Sequence, residues 1–160
     1  MRVYLPSTLT AVATLQQDRE TPGGIGWAVT SALRESYASG DDEELEYAVL
    51  ARAAQQSLEL LADDVRAPRR RVVLVAEVHD AAVAAGTDGE DLPPDPGEVR
   101  VSGPIAIRSI EAVHVDEPES VPLVRAVLID PEDEDALGDL EDAHLLWYAT
   151  QEIDELAASV

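Results

Sequence analysis

Val72-Val73-Leu74-Val75-Ala76-Glu77-Val78 is the stretch that decides the fold. It is short, nearly continuous in apolar residues and rich in β-branched side chains. That pattern predicts a strand covered on both faces, hence one in the middle of a sheet. Arg69, Arg70 and Arg71 stand at its entrance and form the one basic cluster of the chain. Such a cluster could contact an anion or an acidic peptide. The plainer role is pairing with surplus carboxylates while flanking a hydrophobic strand.

Toward the N-terminus, Pro68 closes a helical region. Asp41 and Glu44 have the spacing of a capping box. Tyr47, Leu50, Ala51, Ala54, Leu58 and Leu61 then recur at helical spacing and predict one buried stripe. The acids Asp41, Asp42, Glu43, Glu44 and Glu46 crowd the start of this helix, where the macrodipole favours negative charge. Further upstream the pattern predicts a strand over Arg2 to Leu5, then a helix over 8–18 capped by Ser7. A loop at Thr21 to Gly24 follows, then a strand over 25–29 and a short helix from Thr30 or Ser31 to near Tyr37.

Toward the C-terminus, residues 86–97 read as an exposed loop containing three prolines. Strands are predicted over 98–102 and 106–115, and a helix over 120–129 with Pro122 in its first turn. Residues 130–141 are so acidic that they read as a solvated loop. A helix over 142–157 should close the chain. Its expected apolar face is Leu146, Ala149, Ile153 and Leu156, and it should dock through Trp147 and Tyr148. The predicted class is α+β: one domain over 1–160, with a mixed or antiparallel sheet of about five strands and helices packed on it.

Apolar residues make up 46% of the 160, enough to build a core. Phe, Lys, Cys and Asn are all missing. Phe, Lys and Asn have AT-rich codons, so their joint absence indicates a GC-rich source. Without Phe, the two Trp and four Tyr become the expected anchors. Without Cys there is no disulfide, no thiolate metal site and no Cys nucleophile. The segment after Met1 lacks the basic and apolar regions of a signal peptide, and no run approaches the ~18 apolar residues of a membrane span. A cytoplasmic location is expected, with no membrane partner. The formal charge of −22 repels phosphate backbones, which argues against nucleic acid and favours a protein partner with a basic surface.

No motif assigns a chemistry. Pro22-Gly23-Gly24-Ile25-Gly26 is neither a phosphate loop nor a dinucleotide fingerprint. Glu141-x-x-His144 has a spacing seen in carboxylate-bridged metal bundles, but no second copy accompanies it. His79 and His114 are isolated in sequence. No serine lies in a GxSxG or SxxK setting. Neither a metal site nor a cofactor is expected, and the chain reads as a non-enzymatic binding or regulatory domain.

The most distinctive stretch runs from His144 to Glu152, with an imidazole, two large aromatics and an amide close together. The candidate ligand- or partner-binding residues are Arg34, Tyr47, His144, Trp147, Tyr148 and Gln151. The alternative to a partner surface is a small-molecule or enzyme pocket lined by Arg34, Tyr47, His144, Tyr148 and Gln151.

This same stretch carries a family resemblance, together with Arg2-Val3-Tyr4, Val29-Thr30, Ala32 to Glu35, Tyr37, Glu43 to Ala48, Arg69 to Val73 and Val113 to Asp116. The chain resembles a family of uncharacterised actinobacterial proteins, a domain of unknown function. Ser31 and Ala143 stand where that family more usually carries Pro and Glu. The resemblance implies an actinobacterial source and no particular activity.

Overall fold

A computed structural model describes residues 1–37, 40–86 and 95–158. In chain order the elements are β1 (Arg2–Ser7), α1 (Leu9–Asp18), β2 (Glu20–Thr21), β3 (Gly24–Trp27), α2 (Ser31–Ser36) and α3 (Asp42–Asp63). They continue with β4 (Val72–Glu77), β5 (Val83–Ala85), β6 (Glu98–Val101), β7 (Ile105–Ala106) and β8 (Ile110–Asp116). The chain then runs through α4 (Val121–Ile129), α5 (Glu134–Asp142), β9 (Leu145–Ala149) and α6 (Ile153–Ala158). The class is α+β, as expected. Among the described residues the main sheet is antiparallel throughout and holds seven strands, where about five were expected, in the order β5-β6-β3-β1-β4-β8-β9; β2 and β7 form a separate ribbon. Most of the predicted loop at 86–97 lies outside the described residues.

Period-two alternation divides the core between the two faces of this sheet. Val3, Leu5, Val72, Leu74, Val113 and Val115 meet Leu9, Val12 and Leu15 of α1 and Ile153 and Leu156 of α6. Tyr4, Val73, Val75 and Ala112 meet Leu45, Val49, Ala53 and Ala54 of α3, together with Trp27 and Leu33. A bulge on β8 adjusts this division. Val75 pairs with Ala112 and Ala76 with Ile110, which leaves Glu111 without a β4 partner. Strict alternation would put Ile110 and Ala112 on one face; the extra residue sends Ile110 to the α1 side. A third, smaller cluster joins Leu61 and Ala67 to Val124 and Val127 of α4 and Ala136 and Leu140 of α5.

Polar groups fasten the layers. The fully buried Ser57 hydroxyl donates to the Ser7 carbonyl at 2.7 Å and accepts from the Val72 amide at 3.1 Å, tying α3 to β1 and β4. Arg71 and Asp116, both buried, form a two-pronged ion pair. Nε lies 2.9 Å from Oδ2, Nη2 lies 2.8 Å from Oδ1, and the Arg71 amide donates to Oδ2 at 2.7 Å. Nη2 also donates to the Leu140 carbonyl at 3.0 Å, holding the end of α5 to the sheet. Arg69 donates to the carbonyls of Leu61, Asp64 and Val65, closing the end of α3, and Arg70 Nε donates to the Asp116 carbonyl. Among the described residues, Arg71 is the one member of the basic cluster that pairs with a carboxylate. All three side chains bind backbone of their own fold.

Three expectations are corrected. Residues 134–142 form a helix where a solvated acidic loop was expected. Asp133 accepts from the Asp135 and Ala136 amides, Glu134 and Asp135 suit the positive end of the helix, and Ala136 and Leu140 are buried. Residues 145–149 are a strand, not the middle of a helix. They fill the outer edge of β8, with Leu145 and Trp147 on the α3 side and Tyr148 packed on the opposite core. Only Ile153 and Leu156 of the predicted stripe stay helical, buried in α6 against α1. Finally, α3 buries Leu45, Val49, Ala53, Ala54, Ser57 and Leu61, sharing only Ala54 and Leu61 with the expected stripe.

Candidate functional site

The rejected part of that stripe lines a groove. Tyr47, Leu50, Ala51 and Leu58 of α3 face a hollow of about 800 Å³ bounded by Leu145 and Trp147 of β9, His144, and Glu141 and Asp142 at the end of α5. A second hollow of about 530 Å³ continues from it, lined by Arg2, Tyr4, Glu43, Glu46 and Glu111. Tyr47, Leu50, His114 and Trp147 line both, so the two form one continuous depression. Tyr47 is 65% exposed and Trp147 61%, large rings left in water in a chain with six aromatics.

The local sequence explains each placement. His114 and Trp147 are directly opposed in the β8–β9 ladder, so pleating puts both on the α3 side. Arg2 begins β1 and reaches across to Glu111, freed by the bulge, at 3.2 Å and to Glu46 of α3 at 3.3 Å. Among the described residues three arginines line the groove, each beside a carboxylate: Arg2 with Glu46 and Glu111, Arg52 with Asp95 at 3.6 Å, and the buried Arg71 with Asp116; Glu43, Glu141 and Asp142 line it as well. Burial, then the nearby Glu46 carboxylate, pushes the Tyr4 phenol above its ordinary value. Burial holds the His114 imidazole below 6.5, which keeps it neutral at pH 7.

Of the six residues singled out from sequence, Tyr47, His144 and Trp147 come together in the groove. The other three do not. Arg34, on α2, pairs with Asp42 at the start of α3. Tyr148 packs on the opposite face of the sheet. Gln151 is exposed on the 3₁₀ turn Thr150–Glu152. Arg2, Tyr4, Glu46, Leu50, Glu111 and His114 line the site without having been named as candidates. Strand alternation from Ala112 would have placed His114, but nothing local predicts the bulge that brings Glu111 to Arg2.

The arrangement offers aromatic faces, carboxylates and a neutral imidazole acceptor. It offers no metal set: among the described residues no three His, Asp or Glu side chains converge on one point. Glu141 ends within α5 while His144 lies beyond it, so the Glu-x-x-His spacing does not fall on one helix face. His79 accepts from the Ala81 amide and caps its own turn. Among the described residues no helix is long and apolar enough to cross a membrane. No curated protein and no solved structure matches the chain. A family model matches residues 1–157, and the chain belongs to that family, a family of unknown function (DUF6912).

Proposed function

We propose that this chain is a non-enzymatic binding domain whose groove between α3 and β9 takes up a basic segment of a partner protein. The observation that carries the proposal is the pairing of exposed Tyr47 and Trp147 with carboxylates on one depression. An arginine or lysine side chain gains there twice, from the ring faces and from the acids beside them. The charge of −22 adds long-range attraction for a basic partner. A cytoplasmic setting and an actinobacterial source belong to the proposal as expectations from the sequence.

The alternative is a small cationic molecule held in the 530 Å³ hollow beside Tyr4 and His114, which the half-buried imidazole favours. Of the pocket foreseen from Arg34, Tyr47, His144, Tyr148 and Gln151, Tyr47 and His144 line the groove, while Arg34, Tyr148 and Gln151 lie elsewhere. A titration separates the readings. Tryptophan fluorescence is followed as acetyl-(Arg-Val)4-amide, its Glu-Val counterpart and acetyl-arginine amide are added to wild type and to Trp147→Ala. The proposal expects the Arg-Val peptide alone to bind wild type tightly, with loss in the variant followed by calorimetry. Equal affinity for acetyl-arginine amide would transfer the site to small molecules, and binding of the Glu-Val peptide would refute a basic partner.

A further inference from the structure

We propose that the partner segment enters as an eighth strand added to the free edge of β9; this rests on the basic-segment reading above. β9 is the last strand in the sheet order, and its one partner among the described residues is β8. The direction of its backbone groups follows from the ladder. The Asp116 amide donates to the Arg71 carbonyl at 3.0 Å, so Asp116 and His114 turn their polar groups toward β4. Val113 and Val115 therefore bond to Tyr148 and Leu146 across the β8–β9 ladder. By the same alternation, Leu145, Trp147 and Ala149 point their amides and carbonyls away from β8. The Ala149 amide bears this out, because it donates to the Glu152 carboxylate at 2.7 Å rather than to a strand.

Exposed edges are normally blunted by lysine, proline, a bulge or a covering element. β9 has none of the first three, and all five of its residues pair in register with β8. Leu145 and Trp147 also line the groove. Side chains of an added strand that stand opposite them fall on the α3 side. One extended segment thus satisfies the edge with its backbone and the groove with alternate side chains. Glu152 closes the ladder at Ala149, so the open window spans Leu145 and Trp147.

Charge selects the occupant. Glu141 and Asp142 precede β9, and Glu152, Asp154 and Glu155 follow it. A second copy paired antiparallel through β9 would bring these two acidic groups together, whereas a basic segment meets favourable charge at both ends.

The test uses the full chain and two probes of equal charge: acetyl-(Arg-Val)4-amide, and acetyl-(Arg-Pro)4-amide, which lacks amides at alternate residues. Strand addition predicts at least about tenfold tighter binding of the first, the equivalent of one or two backbone hydrogen bonds. It also predicts slowed hydrogen exchange at the Leu145 and Trp147 amides with that peptide only. Equal affinities with unchanged exchange at those amides overturn strand addition and leave the basic-segment reading standing. Failure of both peptides to bind overturns both. Protection of the same amides in the free chain, with sedimentation as a dimer, assigns the edge to a second copy and overturns the proposal.

Discussion

Arg71 shows how a residue prominent in the sequence can serve the fold alone. Its guanidinium is enclosed by Asp116 and the Leu140 carbonyl. Removing one partner of such a pair strands a buried charge and typically costs about 3–5 kcal/mol. Arg71→Ala should therefore lower the unfolding free energy by that order, and Asp116→Ala similarly; denaturant unfolding followed by circular dichroism measures both. His114 makes a pH-dependent contribution of definite sign. Burial depresses its folded pKa below 6.5, so as pH falls the unfolded chain takes up this proton first. The stability it contributes is complete above about pH 6.5 and declines as pH falls from there through the folded pKa. His114→Gln should flatten that part of the stability profile, and an imidazole NMR titration of wild type should report the depressed value directly. The sequence displayed the three arginines clearly. It did not display their acceptors, two of which are a distant carboxylate and a helix-end carbonyl.

At the scale of elements, legibility followed the strength of the period. The run at 72–78 reads as a buried strand and is one: β4 lies between β1 and β8. The 142–157 segment satisfies two periods at once. Leu146, Ala149, Ile153 and Leu156 fit a helix, while Leu145, Trp147 and Ala149 fit one face of a strand, and the open edge of β8 decides for the strand. The acidic block at 134–142 was obscured by its charge, although Ala136 and Leu140 already had the spacing of a helix face. Trp147, expected as a core anchor, is mostly in water, so Trp147→Ala should change stability by only about 0.5 kcal/mol while abolishing peptide binding. Trp27 is the tryptophan that anchors, buried with its indole donating to Gln56 at 2.9 Å. Deleting residues 142–160 should still leave an unfolded or aggregating chain. The deletion removes β9 and the buried Ile153 and Leu156, each contributing roughly 1.5–3 kcal/mol, and exposes the edge of β8. Gly26→Ala should destabilise by about 1–3 kcal/mol, because an added Cβ would lie 2.8 Å from Val3 Cγ1 and 2.9 Å from Leu5 Cδ2. Thermal melts check each of these.

Across the whole molecule, charge and packing are separated in space. The apolar cores occupy the two faces of the sheet and the corner beneath α4 and α5, while the acids that make up the charge of −22 are mostly on the surface. Duplex DNA or RNA should show no measurable affinity at physiological salt in an anisotropy titration, since both carry the same sign of charge as the protein. The candidate groove was the least legible part of the sequence, because it assembles residues from β1, α3, α5, β8 and β9 whose meeting depends on the order of strands. The Arg71 clamp on Leu140 fixes the α5 wall of that groove through a contact sealed from solvent, where counterions have little effect. The attraction proposed for a basic segment would run instead through surface carboxylates that counterions reach freely. Recognition and architecture therefore answer differently to ionic strength: concentrated salt should elute a bound partner from immobilised protein while the column retains a native, reusable receptor.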